Sequence, residues 1–297
     1  IDALRPLGVE VQSKAENGCP PVVIHASGIK GGQTSIAGSW SSQYLSAILL
    51  AAPYAQNDVE IQVKGNLTSR PYIDITLDTM QEFGVQVRND SYEQFRVVSG
   101  QHYAPTSYVV EPDASNASYF FAAAALTSGR VKVLGLTESS AQGDVGFVGI
   151  LEKMGCTVSQ TSDGTEVRGP RELSGIDIDL NLMPDTVPTL CAIAPFASSP
   201  VCIRNVANLR IKETDRIAAL STELQKLGAR VDVRPDGLTV HPVDRITSTE
   251  LATYDDHRMA MSLALVGLVA PGIVIRNPSC VEKTFPSYFQ VLGSLQN

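Results

Sequence analysis

Four short stretches of the chain, LGVEV at 7–11, FGVQV at 83–87, MGCTV at 154–158 and LGARV at 227–231, are variants of one another. A fixed period limits a chain to architectures made of repeated supersecondary units. The glycines of these stretches, Gly8, Gly84, Gly155 and Gly228, lie 76, 71 and 73 residues apart. Each stretch reads as the end of a helix, with Gly in the left-handed conformation just past it, followed at once by a strand. The unit is therefore about 72 residues long. Its phase places residue 1 inside a helix that ends at Gly8, so a missing N-terminal part is expected.

The rest of the unit repeats as well. A second strand follows in VVIHASG, FRVVSG, TEVRGP and LTVHPV, and a polar cluster then opens an apolar helix. Ser42, Asp113, Asp185 and Asp256 mark those openings at intervals of 71, 72 and 71 residues. Another β-rich run precedes a second helix opening, marked by Asp74, Asp144, Asp215 and Ser287. The expected fold class is α/β (α+β), built of tandem βαβαβ-type units. A solenoid and a pseudo-symmetric body with helices inside and sheets outside both fit this pattern.

At 297 residues, 43% hydrophobic and 18% charged, the chain has material for two domains with separate cores. Its net charge of −8 argues against a nucleic-acid or acidic-membrane partner, which clustered Lys and Arg would be needed to hold. The most apolar run, 259–275, is interrupted by Pro271 and Gly272 and reads as a buried helix followed by a strand, not a membrane span. Five cysteines without C-x-x-C spacing suggest neither disulfides nor zinc, and a reducing, cytoplasmic location is expected.

Helix capping accounts for any one of the repeated Asp and Ser residues, because their side chains accept from free backbone N–H groups. Differences between the copies carry more information. The second unit has AQGDVG where the third has KETDR, which adds Lys212 and Arg216, and the fourth adds Arg258 and Lys283. Cations at a helix N-terminus oppose the helix dipole. Four of them at matching positions point to an anion site made of N–H groups, dipoles and cations.

The first unit offers Ser41, Ser42, Gln43, Ser69 and Tyr72 instead, suited to a small polyhydroxylated or phosphorylated ring. Asp185 and Glu213 sit among the cations, where a carboxylate stays ionised and can accept or relay a proton. The four histidines are not at metal-ligand spacing, His257 reads as structural, and Cys156 reads as a core thiol.

The stretches SSQYLSAILLAAP, SRPYIDITLDTM, EPDASNASYF, MPDTVPTL, NLRIKETDRIAAL, DDHRMAMSLAL and EKTFP, in this order, resemble the 5-enolpyruvylshikimate-3-phosphate synthase branch of the enolpyruvyl transferases. The similarity runs through essentially the whole chain. It implies two pseudo-symmetric domains of repeat units, closing at a hinge near 110–112. They are expected as a partial N-terminal domain over 1–111 and a nearly complete C-terminal domain over 112–297.

The implied reaction joins phosphoenolpyruvate to the 5-hydroxyl of shikimate 3-phosphate and releases phosphate through a tetrahedral ketal, with no metal or cofactor. Matched to the family's motifs, Ser41, Ser42, Gln43, Ser69 and Tyr72, with Asp185, Asn208 and Lys212, fall on the shikimate-phosphate side. Glu213, Arg216, Arg258 and Lys283 fall on the phosphoenolpyruvate side. Asp185 is implied as the group that deprotonates the hydroxyl, and Glu213 or Lys283 as the one that handles the methylene proton.

The family's N-terminal Lys-Ser-x-Ser-x-Arg segment and its Gly-Asn-Ala-Gly-Thr loop have no counterpart in this sequence. Little or no activity is therefore expected of the chain alone, with a complementing N-terminal fragment as its partner. The alternatives are a non-catalytic substrate-binding fragment and an enolpyruvyl transferase with a different acceptor.

Overall fold

A computed structural model describes residues 1–25 and 27–295. The chain divides into two compact units, Ile1–Val110 and Glu111–Asn297.

The first unit opens with turns over residues 2–8, not with the expected helix. Gly8 nevertheless adopts φ +79°, the left-handed geometry the repeat requires. A hairpin of β1 (Glu10–Ser13) and β2 (Val22–His25) follows. Next come β3 (Gly32–Ala37), α1 (Ser42–Ala51), β4 (Val59–Lys64), α2 (Arg70–Glu82), β5 (Val87–Asp90) and β6 (Gln94–Val97). The sheet order is β3-β4-β6-β5, with β3 and β4 parallel and the β5–β6 hairpin added antiparallel to β4. In β4 the alternation VEIQVK sends Val59, Ile61 and Val63 inward, and Ile61 faces Phe95 across the ladder.

The second unit repeats this plan. It begins with α3 (Ala114–Thr127), β7 (Arg130–Leu134), α4 (Phe147–Lys153), β8 (Thr157–Thr161) and β9 (Gly164–Arg168). It continues with β10 (Asp177–Asp179), α5 (Val187–Ile193), β11 (Val201–Arg204), α6 (Arg216–Lys226), β12 (Val231–Arg234) and β13 (Gly237–Val240). It ends with β14 (Glu250–Leu251), α7 (His257–Ala264), β15 (Val274–Ile275) and α8 (Tyr288–Ser294). The order β10-β11-β13-β12 reproduces that of the first unit strand for strand, while β7-β9-β8 and the parallel pair β14-β15 are shorter versions.

Helices α3, α5 and α7 are buried on nearly every side, and α5 packs against both α3 and α7. Their burial follows from composition: the run ASYFFAAAA leaves α3 no polar face, and its alanines let neighbouring helices approach closely. Ser118 of α3 and Thr189 of α5 share a buried hydrogen bond of 3.0 Å between these two inner helices. Each fully buried Leu, Ile or Phe here contributes about 1.5–3 kcal/mol relative to exposure. Helix α6 is amphipathic instead, burying Ile217, Leu220 and Leu224. Gly84, Gly155 and Gly228 all have φ between +87° and +108°, so each helix-to-strand turn has the predicted left-handed residue.

Not every repeated Asp is a cap. Asp113 accepts from Asn116 N–H at 2.8 Å and Asp256 from Arg258 N–H at 2.9 Å, as expected. Asp185, in contrast, lies within the 3-10 turn Pro184–Thr186, and α5 has no side-chain cap. Asp74 lies inside α2, which starts at Arg70, and accepts from the Tyr92 hydroxyl at 2.7 Å. Among the described residues, no helix is long and apolar enough to cross a membrane.

Candidate active site

In the second unit, four elements bring the charged residues of the repeat together. Arg216 is the first residue of α6, and Asp215 caps that helix by accepting from Ala218 N–H at 3.0 Å. Asp256 caps α7, Asp185 occupies the turn before α5, and Lys283 ends the 3-10 turn Pro278–Lys283.

Arg216 is the centre of this cluster. Its guanidinium is 1% exposed and meets three carboxylates: Asp256 through Nε at 2.8 Å and Nη2 at 3.2 Å, Asp185 through Nη1 at 3.1 Å, and Glu213 through Nη2 at 2.8 Å. Burial alone disfavours its charge, but the hydrogen bonds and charge of Asp256 outweigh this and raise its pKa. Asp185 uses its second oxygen for Arg258 Nη2, at 2.8 Å, and so bridges the two guanidiniums. The Arg258 guanidinium also donates to the Tyr119 hydroxyl at 3.4 Å. Burial pushes that phenol up to about 12.

Glu213 bridges Arg216 and Lys283, whose ammonium lies 2.5 Å from its other oxygen. Partial burial alone would raise the Glu213 carboxyl. The hydrogen bond from Lys283 and the charge of Arg216 reverse this and hold it at about 2. Glu213 is therefore ionised at neutral pH. Burial, and next the charge of Arg258, push the His257 imidazole down to about 4, which leaves it neutral at pH 7.

The geometry modifies the dipole reading of the cations. Arg216 and Arg258 do open helices, but their charges are met by carboxylates from other elements. Lys283 ends one 3-10 turn and Lys212 directly follows another, at ends where a cation is favourable. Asn208 is buried in the turn Ala207–Ile211, and Lys212, just beyond it, is half-buried. Among the described residues no ion pair ties Lys212 to the cluster. Asp215 pairs with Arg210 at 2.9 Å rather than with Lys212 or Arg216.

The first-unit candidates collect at two helix starts. Ser41 caps α1, accepting from Gln43 N–H at 3.3 Å, and Ser42 is buried as the first helical residue. Ser69 precedes α2 at φ +55°, and its carbonyl accepts from Tyr72 N–H at 3.1 Å. Helices α1 and α2 pack together, joined in their second turns by a 2.8 Å hydrogen bond between Ser46 and Thr76.

Two members of the cluster were not picked out from sequence. In the sequence Asp256 marks only a helix opening, and Tyr119 is one residue of the stretch EPDASNASYF. The signal for Asp256 was its place in DDHR, where one carboxylate can cap a backbone N–H and pair with an arginine at once. Tyr119 gave no signal of its own. Among the described residues, no group of three or more His, Cys, Asp or Glu is arranged to hold a metal ion.

Comparison with known proteins places this geometry in context. The EPSP synthase family (3-phosphoshikimate 1-carboxyvinyltransferase) matches residues 1–292. The 3-phosphoshikimate 1-carboxyvinyltransferase of Nostoc punctiforme is 51% identical over 97% of this chain and 68% of its own length. The enzyme of the same name from Sulfurovum sp. is 47% identical over 100% of this chain and 70% of its own length. A solved EPSP synthase from Acinetobacter baumannii superposes with a TM-score of 0.79 at 26% identity, covering 98% of this chain and 68% of that one. These similarities do not bear out the expected missing N-terminal part, the loss of activity, the complementing fragment, the non-catalytic reading or a different acceptor.

Proposed function

Because the chain belongs to the EPSP synthase family (3-phosphoshikimate 1-carboxyvinyltransferase), we infer from its own side chains how they divide that family's reaction. The chain is a transferase that moves the enolpyruvyl group of phosphoenolpyruvate to the 5-hydroxyl of shikimate 3-phosphate and releases phosphate, a step of the shikimate pathway.

Arg216 and Arg258 hold the anionic groups of phosphoenolpyruvate. Two guanidiniums kept together by one shared carboxylate, Asp185, support this role: Arg258 can offer its planar fork to phosphate or carboxylate oxygens, while Arg216, whose nitrogens are turned to Asp256, Asp185 and Glu213, adds positive charge behind it. Lys212 and Asn208 take the phosphate of shikimate 3-phosphate. The absence of a competing ion pair at Lys212 among the described residues supports its part. In the first unit, Ser41, Ser42, Gln43, Ser69 and Tyr72 offer hydroxyls, an amide and two helix N-termini, suited to a polyhydroxylated or phosphorylated ring.

In the addition step the 5-hydroxyl oxygen attacks C2 of phosphoenolpyruvate, Asp185 accepts the hydroxyl proton, and C3 gains a proton. Lys283 supplies the proton to C3, because Glu213, held at about 2, has none to give at neutral pH. Glu213 keeps the ammonium in place at 2.5 Å. In the elimination step the C2–O bond to phosphate breaks, the departing phosphate takes the proton held by Asp185, C3 returns a proton to Lys283, and the enol ether forms. The 2.5 Å Lys283–Glu213 pair beside the Arg216 guanidinium is the observation that carries this assignment.

Cytoplasmic residence belongs to the same reading, supported by five free thiols. Phosphate release from phosphoenolpyruvate and shikimate 3-phosphate in deuterated water tests the assignment. The wild-type chain is expected to put deuterium into the C3 position, and Asp185→Asn to slow release about 10²–10⁴-fold. Unchanged turnover in Asp185→Asn would remove the proposed base.

A further inference from the structure

Glu223 lies on α6 seven residues after Arg216, on the same side of the helix. Its carboxylate is completely buried, yet every hydrogen bond it makes is accounted for. Lys226 donates to Oε1 at 2.9 Å and to Oε2 at 2.7 Å, the Tyr254 hydroxyl donates to Oε1 at 2.7 Å, and Ala252 N–H donates to Oε2 at 2.9 Å.

Two of these donors belong to the segment that leads into α7. That segment turns sharply at Tyr254 and Asp255, both left-handed at φ +55° and +56°, a conformation that non-glycine residues hold only when their surroundings impose it. It then delivers Asp256 onto Arg216 and Arg258 onto Asp185. One helix thus grips one segment at two points: Glu223 on 252–254 and Arg216 on Asp256. Filling this space with a buried carboxylate is costly, and a leucine of similar size would serve stability as well. Only an acceptor can fix the backbone at Ala252 and the Tyr254 hydroxyl together.

We propose that Glu223 is a positioning residue for the transfer reaction, setting the approach of the Arg258 guanidinium to that of Arg216 by clamping residues 252–254 to α6. This rests on the reading that these two arginines hold phosphoenolpyruvate. A site that needs two guanidiniums at one spacing is sensitive to a shift of a few tenths of an ångström in either.

The test is steady-state phosphate release by the full chain with both substrates varied. Glu223→Gln puts an amide donor against Tyr254 or Ala252, and is expected to raise KM for phosphoenolpyruvate about tenfold, with KM for shikimate 3-phosphate within about twofold. Tyr254→Phe deletes one hydroxyl on an exposed side chain and is expected to raise the same KM about threefold. It also decides the matter if Glu223→Gln fails to fold. In an Arg258→Lys background, adding Glu223→Gln is expected to change KM by less than about twofold, because the effect runs through Arg258.

An equal rise on both backgrounds, or an unchanged KM in folded Tyr254→Phe, overturns the proposal. If Arg258→Lys alone leaves KM for phosphoenolpyruvate unchanged, the reading of the arginines fails and the proposal with it. If Arg258→Lys raises that KM and Glu223→Gln does not, the proposal alone falls.

Discussion

Arg216 holds Asp256 through two hydrogen bonds of 2.8 and 3.2 Å, across 40 residues of sequence, with neither side chain more than 1% exposed. The pair joins the N-terminal ends of α6 and α7, so the stability of the fold and the placement of the charged cluster depend on the same contact.

Arg216→Met removes the cation and leaves Asp256 a buried charge whose main partner is gone. A loss of about 3–5 kcal/mol is expected, the usual result of breaking a buried pair from one side. Chemical denaturation measures it, and a change under about 1 kcal/mol would contradict the assigned role. Phosphate release should be abolished in any folded fraction.

Lys283 is 54% exposed, so Lys283→Met should leave the melting temperature nearly unchanged. Turnover should drop about 10²–10⁴-fold, and uptake of solvent deuterium at C3 should fall in parallel. Deuterium uptake at the wild-type rate would assign the proton to another group.

Glu213 has its carboxyl lowered from 4.5 to about 2 on folding. A lowered carboxylate stabilises the fold fully above its unfolded value, and that contribution is lost as pH falls from about 4.5 towards 2. Glu213→Gln should therefore flatten the decline of melting temperature with acidification in this range. An identical slope in the variant would show that the Lys283 contact is too weak in solution to matter.

His257 gives a second and higher window. Its imidazole drops from 6.5 to about 4 in the folded chain, so the unfolded chain binds the proton first. The stabilisation is complete above about 6.5 and is lost as pH falls from 6.5 to 4. Titration by nuclear magnetic resonance should find His257 neutral at pH 6, and His257→Gln should remove this part of the pH dependence. A His257 that protonates above pH 6 would rule out the burial described here.

The cluster was only partly legible beforehand, and the repeated aspartates show why. Asp113, Asp185 and Asp256 occupy equivalent places in the period, and all three look like helix caps. In the folded chain Asp113 caps α3, Asp256 caps and also holds Arg216, and Asp185 bridges two arginines. Residues that are equal in local sequence differ because only some have an arginine from another unit of the repeat within reach. Tyr119 and Glu223 were hidden for the same reason: Arg258 is 139 positions from Tyr119, and Ala252 and Tyr254 are about 30 from Glu223, whose local partner Lys226 reads as an ordinary surface pair.

The sequence by itself determined the period, the left-handed glycine turns, the alternating strands and the apolar inner helices, because each depends on residues close together along the chain. It also determined which charges were surplus to that pattern, Lys212, Glu213, Arg216, Arg258 and Lys283. Tertiary structure alone decided which carboxylate meets which cation, that Glu213 is held near 2, and that Glu223 is buried beneath the loop leading to α7. Those outcomes depend on distances of a few ångströms between helix ends far apart in sequence, where Coulomb energy and desolvation change steeply and local propensity carries no information.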